Sequence, residues 1–228
     1  MKSLHRLKTV ALAAALSAAS AAVCAQEQAK LKIAVIPKGT THVFWKSIHA
    51  GAAKAAKEFG VEIIWQGPQK EDDRNMQIQV VQNFSRKVDA IVLAPLDDQA
   101  LIRPVETAKE KGIKVVIIDS AIKTKSYSSF VATDNYKGGK LCAQRLAEVL
   151  GGEGNALMMR YSEGSASTNE REQGFLDGMK EFAPKVRLVS VNQYAGATAE
   201  SAFKTAQNLL NRFGADLAGV FCPNESST

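Results

Sequence analysis

Leu31-Lys-Ile-Ala-Val-Ile-Pro37 and Val61-Glu-Ile-Ile-Trp65 are two apolar, β-branched runs separated by one helix-period stretch. In that stretch Phe44, Ile48, Ala52, Ala55 and Phe59 fall on one face, and Gly60 supplies the stop. Strand, helix and strand in this order make one βαβ unit, whose crossover is right-handed. The rhythm continues outward. Runs at 90–94 and 114–119, and again near 156–160, 186–191 and 217–222, have the length and composition of buried strands. One helix between them opens on Glu71, Asp72 and Asp73, where acids suit the positive end of the macrodipole, and carries Met76, Val80, Val81 and Phe84 on one stripe. Another, at 98–111, is interrupted by Pro104. A helix from Asn135 to Leu150 follows the link 130–134 and runs into Gly151. Ser167-Thr-Asn-Glu170 is a capping box that opens the next, with Phe175, Met179 and Phe182 inward. Thr198 caps a last helix carrying Phe203, Ala206, Leu210 and Phe213. Such alternation predicts an α/β protein built from doubly wound, Rossmann-like parallel sheets.

Ligands bind beyond the carboxyl ends of the strands in sheets of this kind. The residues placed there are His42, Phe44 and Trp45; Asp97 and Asp98; Asp119 and Ser120; 161–168; Tyr194; and 224–227. At the opposite ends stand lean glycine stops, Gly112, Gly151, Gly152 and Gly214. That asymmetry marks one end of the sheets as the ligand end.

Several chemistries lack their machinery. The first loop, Lys38-Gly-Thr-Thr-His-Val-Phe-Trp45, holds neither a Rossmann glycine triplet nor a P-loop, which argues against a dinucleotide or nucleotide cofactor. No Cys/His cluster has metal-ligand spacing, and no Gly-x-Ser-x-Gly follows a strand, so neither a metal site nor a hydrolytic triad is expected. The chain reads as a binding protein rather than an enzyme.

The first 25 residues have the form of a secretory signal: basic Lys2, Arg6 and Lys8, an apolar stretch from Thr9 to Val23, then Val23-Cys-Ala25 before Gln26. Cleavage after Ala25 is expected. Lipid attachment at Cys24 is the alternative, and Val23 in place of a small residue disfavours it. Setting those three basic residues aside leaves 26 basic against 23 acidic residues, so the formal charge of +6 falls to +3, and no Lys/Arg run argues for nucleic acid. Cys142 and Cys222 lie in apolar stretches and read as two buried free thiols.

Aromatics beside carboxylates, amides and an arginine suit a neutral polyhydroxylated ligand, a ring face for its C–H surface and charged groups forking to adjacent hydroxyls. Each residue also has a plainer reading. Phe44 can be a core residue of its helix, whereas Trp45 lies off the main stripe. Asp119 can be a turn former, and Arg171, poorly placed for the dipole in a first helical turn, can be a surface ion pair.

Taken in order, Ile33-Ala-Val-Ile-Pro37, Phe44-Trp45, Val116-Ile-Ile-Asp119, Thr133-Asp-Asn135, Arg171-Glu-Gln-Gly-Phe175 and Phe221-Cys-Pro-Asn224 resemble the periplasmic sugar-binding proteins of the ribose/galactose type. The likeness spans 31–228. It implies two α/β lobes joined by a hinge, an N-terminal lobe at 26–131 and an incomplete C-terminal lobe at 132–228, the chain stopping short of the family's usual length. It implies a sugar or polyol trapped between the lobes and handed to an ABC transporter permease in the inner membrane, with a chemoreceptor or sensor kinase as the alternative partner. Carried over by motif, Phe44 and Trp45 stack on the sugar, His42 precedes them, Asp119 takes hydroxyls, and Arg171 and Asn224 come from the second lobe. Ser120 stands where ribose receptors have arginine and Ala197 where many members have an aromatic, so Tyr194 becomes a candidate replacement and ribose itself is disfavoured.

Overall fold

In the computed structural model, residues 30–228 are described; the signal segment lies outside them. Among the described residues, eight strands and six helices alternate along the chain. The first sheet takes β1 (Lys32–Ile36), β2 (Glu62–Trp65), β3 (Ala90–Leu93), β4 (Lys114–Ile118) and β5 (Ser129–Val131) in the order β2-β1-β3-β4-β5, all neighbours parallel. The second takes β6 (Asn155–Arg160), β7 (Arg187–Tyr194) and β8 (Leu217–Phe221) in the order β7-β6-β8, again parallel. Both sheets reverse direction of strand order at β1 and β6, the switch points at which such folds open a crevice. The link 132–134 carries the chain from β5 to the helix of the second sheet.

The helices are α1 (Val43–Phe59), α2 (Arg74–Phe84), α3 (Ile102–Glu110), α4 (Asn135–Leu150), α5 (Ala166–Phe182) and α6 (Ala199–Phe213). Pro104 is the third residue of α3 and so stands in a first turn, where a missing N–H breaks no helical bond; it does not interrupt the helix. Helix α2 begins at Arg74, not at Glu71, because Asp73 caps it by accepting from Met76 N at 2.9 Å. Ser165 is the residue at the start of α5, two before the capping box read from the sequence. Thr198 caps α6, as the sequence predicts, and it forms a reciprocal capping box with Ser201.

Two cores follow. Ile36, Val80, Val81, Ile91, Leu93, Leu101, Val105 and Ile117 fill the first, between sheet and helices. Met158, Phe175, Met179 and Phe221 lead the second, with Phe175 and Phe221 stacked at 4.0 Å. Each such side chain contributes about 1.5–3 kcal/mol on full burial. Helix α6 departs from its expected stripe: Ala202 and Leu209 are buried, while Phe203 is 68% exposed and Leu210 is exposed as well. Phe182 is likewise exposed at the end of α5, and Cys142, expected to be buried, sits on the exposed side of α4, with Cys222 partly buried. Helix periodicity gives the spacing of a stripe; which edge of it meets the sheet is settled by packing.

Candidate functional site

The carboxyl ends of β1, β4, β6 and β8 converge on a cavity of about 110 Å³ between the two sheets, lined by Lys38, Phe44, Trp45, Glu71 and Asp119 from the first lobe and by Tyr161, Thr168, Arg171 and Asn224 from the second. Its aromatic side is made by α1. Trp45 is the buried residue of that helix, 2% exposed, and Phe44 meets it edge to face with ring centroids 4.9 Å apart. Trp45, set off from the stripe read from the sequence, turns inward; of that stripe Ile48 and Ala52 are half-buried, while Ala55 and Phe59 are exposed. Phe44 is 44% exposed and lines the cavity, as a stacking ring with one open face would.

Asp119 ends β4 in an unusual backbone. Its φ is +62°, and Ser120 N donates across it to Ile118 O at 2.6 Å, closing a γ-turn. Positive φ in a non-glycine residue holds strain of about 1–3 kcal/mol, which clusters at ligand sites. The turn aims consecutive side chains apart. Asp119 lines the cavity, whereas Ser120 is fully buried away from it and accepts from Ser167 N at 3.0 Å. Ser120 therefore anchors the start of α5 and does not face the cavity.

Beside Asp119 lies Lys38, 3% exposed. Its ammonium stands 3.2 Å from Asp119 Oδ2 and donates to Ser165 Oγ at 3.3 Å and Ser167 Oγ at 3.2 Å. Three N–H donors meet three acceptors, the condition under which an ammonium is tolerated inside a protein. Two of those acceptors belong to the second lobe.

Arg171 is positioned by the packing of α4 on α5. A Cβ on Gly139 would collide with the Arg171 carbonyl, and one on Gly174 with the Tyr136 carbonyl, so glycine at both positions lets the two helix backbones touch. That approach brings Asn135 Oδ1 within 2.8 Å of Arg171 Nε, while Arg171 Nη1 donates to Pro223 O at 2.9 Å. Two of five guanidinium donors are spent and three remain for a ligand. Asn224, on the same wall, is held in a turn by Ser226 Oγ at 2.9 Å and Ser227 Oγ at 2.6 Å.

Besides Ser120, two more expected residues lie outside the cavity. His42 precedes α1 at the rim, 3.8 Å from Glu225, whose carboxylate also accepts from Val43 N and Phe44 N at 3.4 and 3.3 Å. Tyr194 is exposed under the Arg160 guanidinium, 4.8 Å from its ring centroid, and replaces no aromatic of the cavity. Tyr161, Ser167 and Thr168 line the cavity from the strand-end segment 161–168 that the sequence places at the ligand end, whereas Lys38 and Glu71 are not singled out by the sequence. Position is the signal that would find Lys38, which closely follows the end of β1.

Two parallel-sheet lobes whose aromatic, acidic and guanidinium groups meet in one polar cavity have the architecture of the two-lobed periplasmic-binding-protein fold. The chain belongs to the periplasmic binding protein domain family, whose model matches residues 33–228, and to its ribose/galactose type, as the resemblance implied. It is 30% identical over 183 residues to the ribose import binding protein of Bacillus subtilis (strain 168), covering 80% of this chain and 58% of the relative. To the D-allose-binding periplasmic protein of Escherichia coli (strain K12) it is 29% identical, covering 87% of this chain and 66% of the relative. Among solved structures, a solute-binding protein from Agrobacterium vitis with bound D-fucose superposes with a TM-score of 0.80 at 37% identity, covering 86% of this chain and 68% of that one. The chain thus spans about three-fifths of the length of the curated relatives it matches.

Proposed function

We propose that the protein is a periplasmic receptor that traps a neutral monosaccharide or sugar-like polyol between its lobes and delivers it to an ABC transporter permease. The observation that carries this reading is the convergence of Phe44, Trp45 and Asp119 from one lobe with Arg171 and Asn224 from the other on a single cavity. Aromatic faces take C–H surface, and the carboxylate and the three free guanidinium donors take hydroxyls. Relatives named for ribose and D-allose, and solved structures holding D-arabinose and D-fucose, support a monosaccharide. With contacts drawn from both lobes, a ligand favours the closed arrangement in proportion to its differential affinity for it. The same reading takes 26–131 and 132–228 as the two lobes, which the end of β5 at Val131 supports. Export by the N-terminal signal, with cleavage after Ala25, belongs to the same proposal.

A thermal-shift screen against pentoses, hexoses, inositols and sugar alcohols, with calorimetry on any hit, tests it. A cognate sugar at 100 times its Kd adds about 2.7 kcal/mol of stability. Silence across the whole panel from a folded, full-length protein overturns the sugar reading.

A further inference from the structure

Glu71 sits in the loop between β2 and α2, where acids would ordinarily serve the helix start, yet Asp73 does that work and Glu71 is buried in the cavity wall. Its carboxylate accepts from two donors on opposite sides of the cleft. Trp45 Nε1 donates to Oε1, and Tyr161 OH donates to Oε2 at 2.6 Å, with the Glu71 carbonyl a further 3.4 Å neighbour of the same hydroxyl. Trp45 belongs to α1 of the first lobe, and Tyr161 follows β6 of the second. The backbone is shaped around this carboxylate: a Cβ on Gly39 would stand 2.8 Å from Glu71 Cγ, so that position admits the side chain only as glycine. Burial and the Glu71 charge together hold the Tyr161 phenol far above its usual range, keeping it a donor at all physiological pH.

We infer that Glu71 is a positioning residue that fixes the Trp45 indole and clasps it to the second lobe through Tyr161, so that the orientation of the aromatic wall and the approach of the two lobes are a single event. Resting on the reading of the cavity as a cleft that closes on its ligand, this assigns a role to a group that need not touch the ligand. Removing one hydrogen bond of this kind shifts an open–closed ratio by about fivefold.

The test needs no ligand. Trp45 and Trp65 are the two tryptophans of the chain, and Trp65 stacks on His49 away from the cavity, so Trp65→Phe makes Trp45 the sole reporter. In that background acrylamide quenching of Trp45 is compared for wild type, Tyr161→Phe, Glu71→Leu and Glu71→Gln, each first shown to be folded by circular dichroism. Tyr161→Phe keeps the ring and deletes the cross-lobe bond; with the closed form dominant and shielding the indole, its quenching constant is expected to rise by up to about fivefold, as is that of Glu71→Leu. Glu71→Gln retains a carbonyl acceptor for the indole and an amide donor for the phenol oxygen, and should stay within twofold of wild type, about the lower bound for one lost hydrogen bond. Wild-type quenching in Tyr161→Phe overturns the clasp, and equal loss in Glu71→Gln and Glu71→Leu overturns the hydrogen-bonding role in favour of charge alone. Either result holds whether or not any sugar in the panel binds, so failure of the clasp is separable from failure of the sugar reading.

Discussion

Asp119 and Tyr161 show how much of the site is set residue by residue. At φ +62° asparagine is accommodated as readily as aspartate, so Asp119→Asn keeps the turn and removes the charge. What remains is a buried ammonium on Lys38 facing two serine hydroxyls without a carboxylate. Removing one partner of such a pair costs about 3 kcal/mol or more, and urea unfolding of Asp119→Asn is expected to show a loss of that size, with sugar affinity falling as well. Tyr161 gives a pH signature. Its folded pKa lies above the unfolded value near 10, raised first by burial and then by Glu71. The neutral phenol's contribution is therefore complete below pH 10 and lost above it, where only the unfolded chain releases the proton. Stability should fall by about 1.4 kcal/mol per pH unit beyond about pH 10, and Tyr161→Phe should flatten that limb in a denaturation series from pH 8 to 11.5.

At the scale of elements the α4–α5 pair matters most, because it sets where Arg171 and Asn135 stand. Gly174→Ala would drive a methyl into the Tyr136 carbonyl, and two backbones in contact have no side chain to move aside. Overpacking of this kind costs about 1–3 kcal/mol, so a lowered Tm is expected together with weaker ligand binding as the 2.8 Å Arg171–Asn135 bond opens. An alanine at Gly138, which has open space around it, is the matched control. Elements are also the most legible level in the sequence. Seven strands and six helices follow from apolar runs and helical periods, because burial on both faces of a parallel sheet leaves a continuous apolar signal. Ser129–Val131 escapes because its three residues are exposed and β5 is a sheet edge, with no core to write itself into the chain. In the site, Phe44, Trp45, Asp119, Arg171 and Asn224 line the cavity where motif and strand-end position put them. Lys38 and Glu71 are illegible for the opposite reason: buried charges are rare, and what makes them tolerable here, Ser165, Ser167, Trp45 and Tyr161, lies far away in sequence.

On the scale of the whole molecule, the two lobes meet through polar contacts. Lys38 reaches Ser165 and Ser167, Ser120 receives Ser167 N, Asp98 N donates to Gly164 O at 2.9 Å, and Arg74 Nη2 donates to Glu163 O at 2.6 Å. Polar contacts suit surfaces that part and rejoin, since each group regains water on opening and the net loss per bond is about 1 kcal/mol. A large apolar interface would instead hold the lobes shut. Among these contacts Lys38 is the buried charge, and its removal acts on both lobes at once: the serines lose their donor and Asp119 its counter-ion. Lys38→Met, which keeps the length and apolar stem of the side chain, should therefore populate open arrangements. In small-angle scattering its radius of gyration should exceed that of wild type, and addition of a binding sugar should restore part of the difference. Lys109→Met, on an exposed helix end, should leave the scattering unchanged. An unaltered radius in Lys38→Met would mean that the hinge, rather than the cross-lobe contacts, sets the resting angle of the cleft.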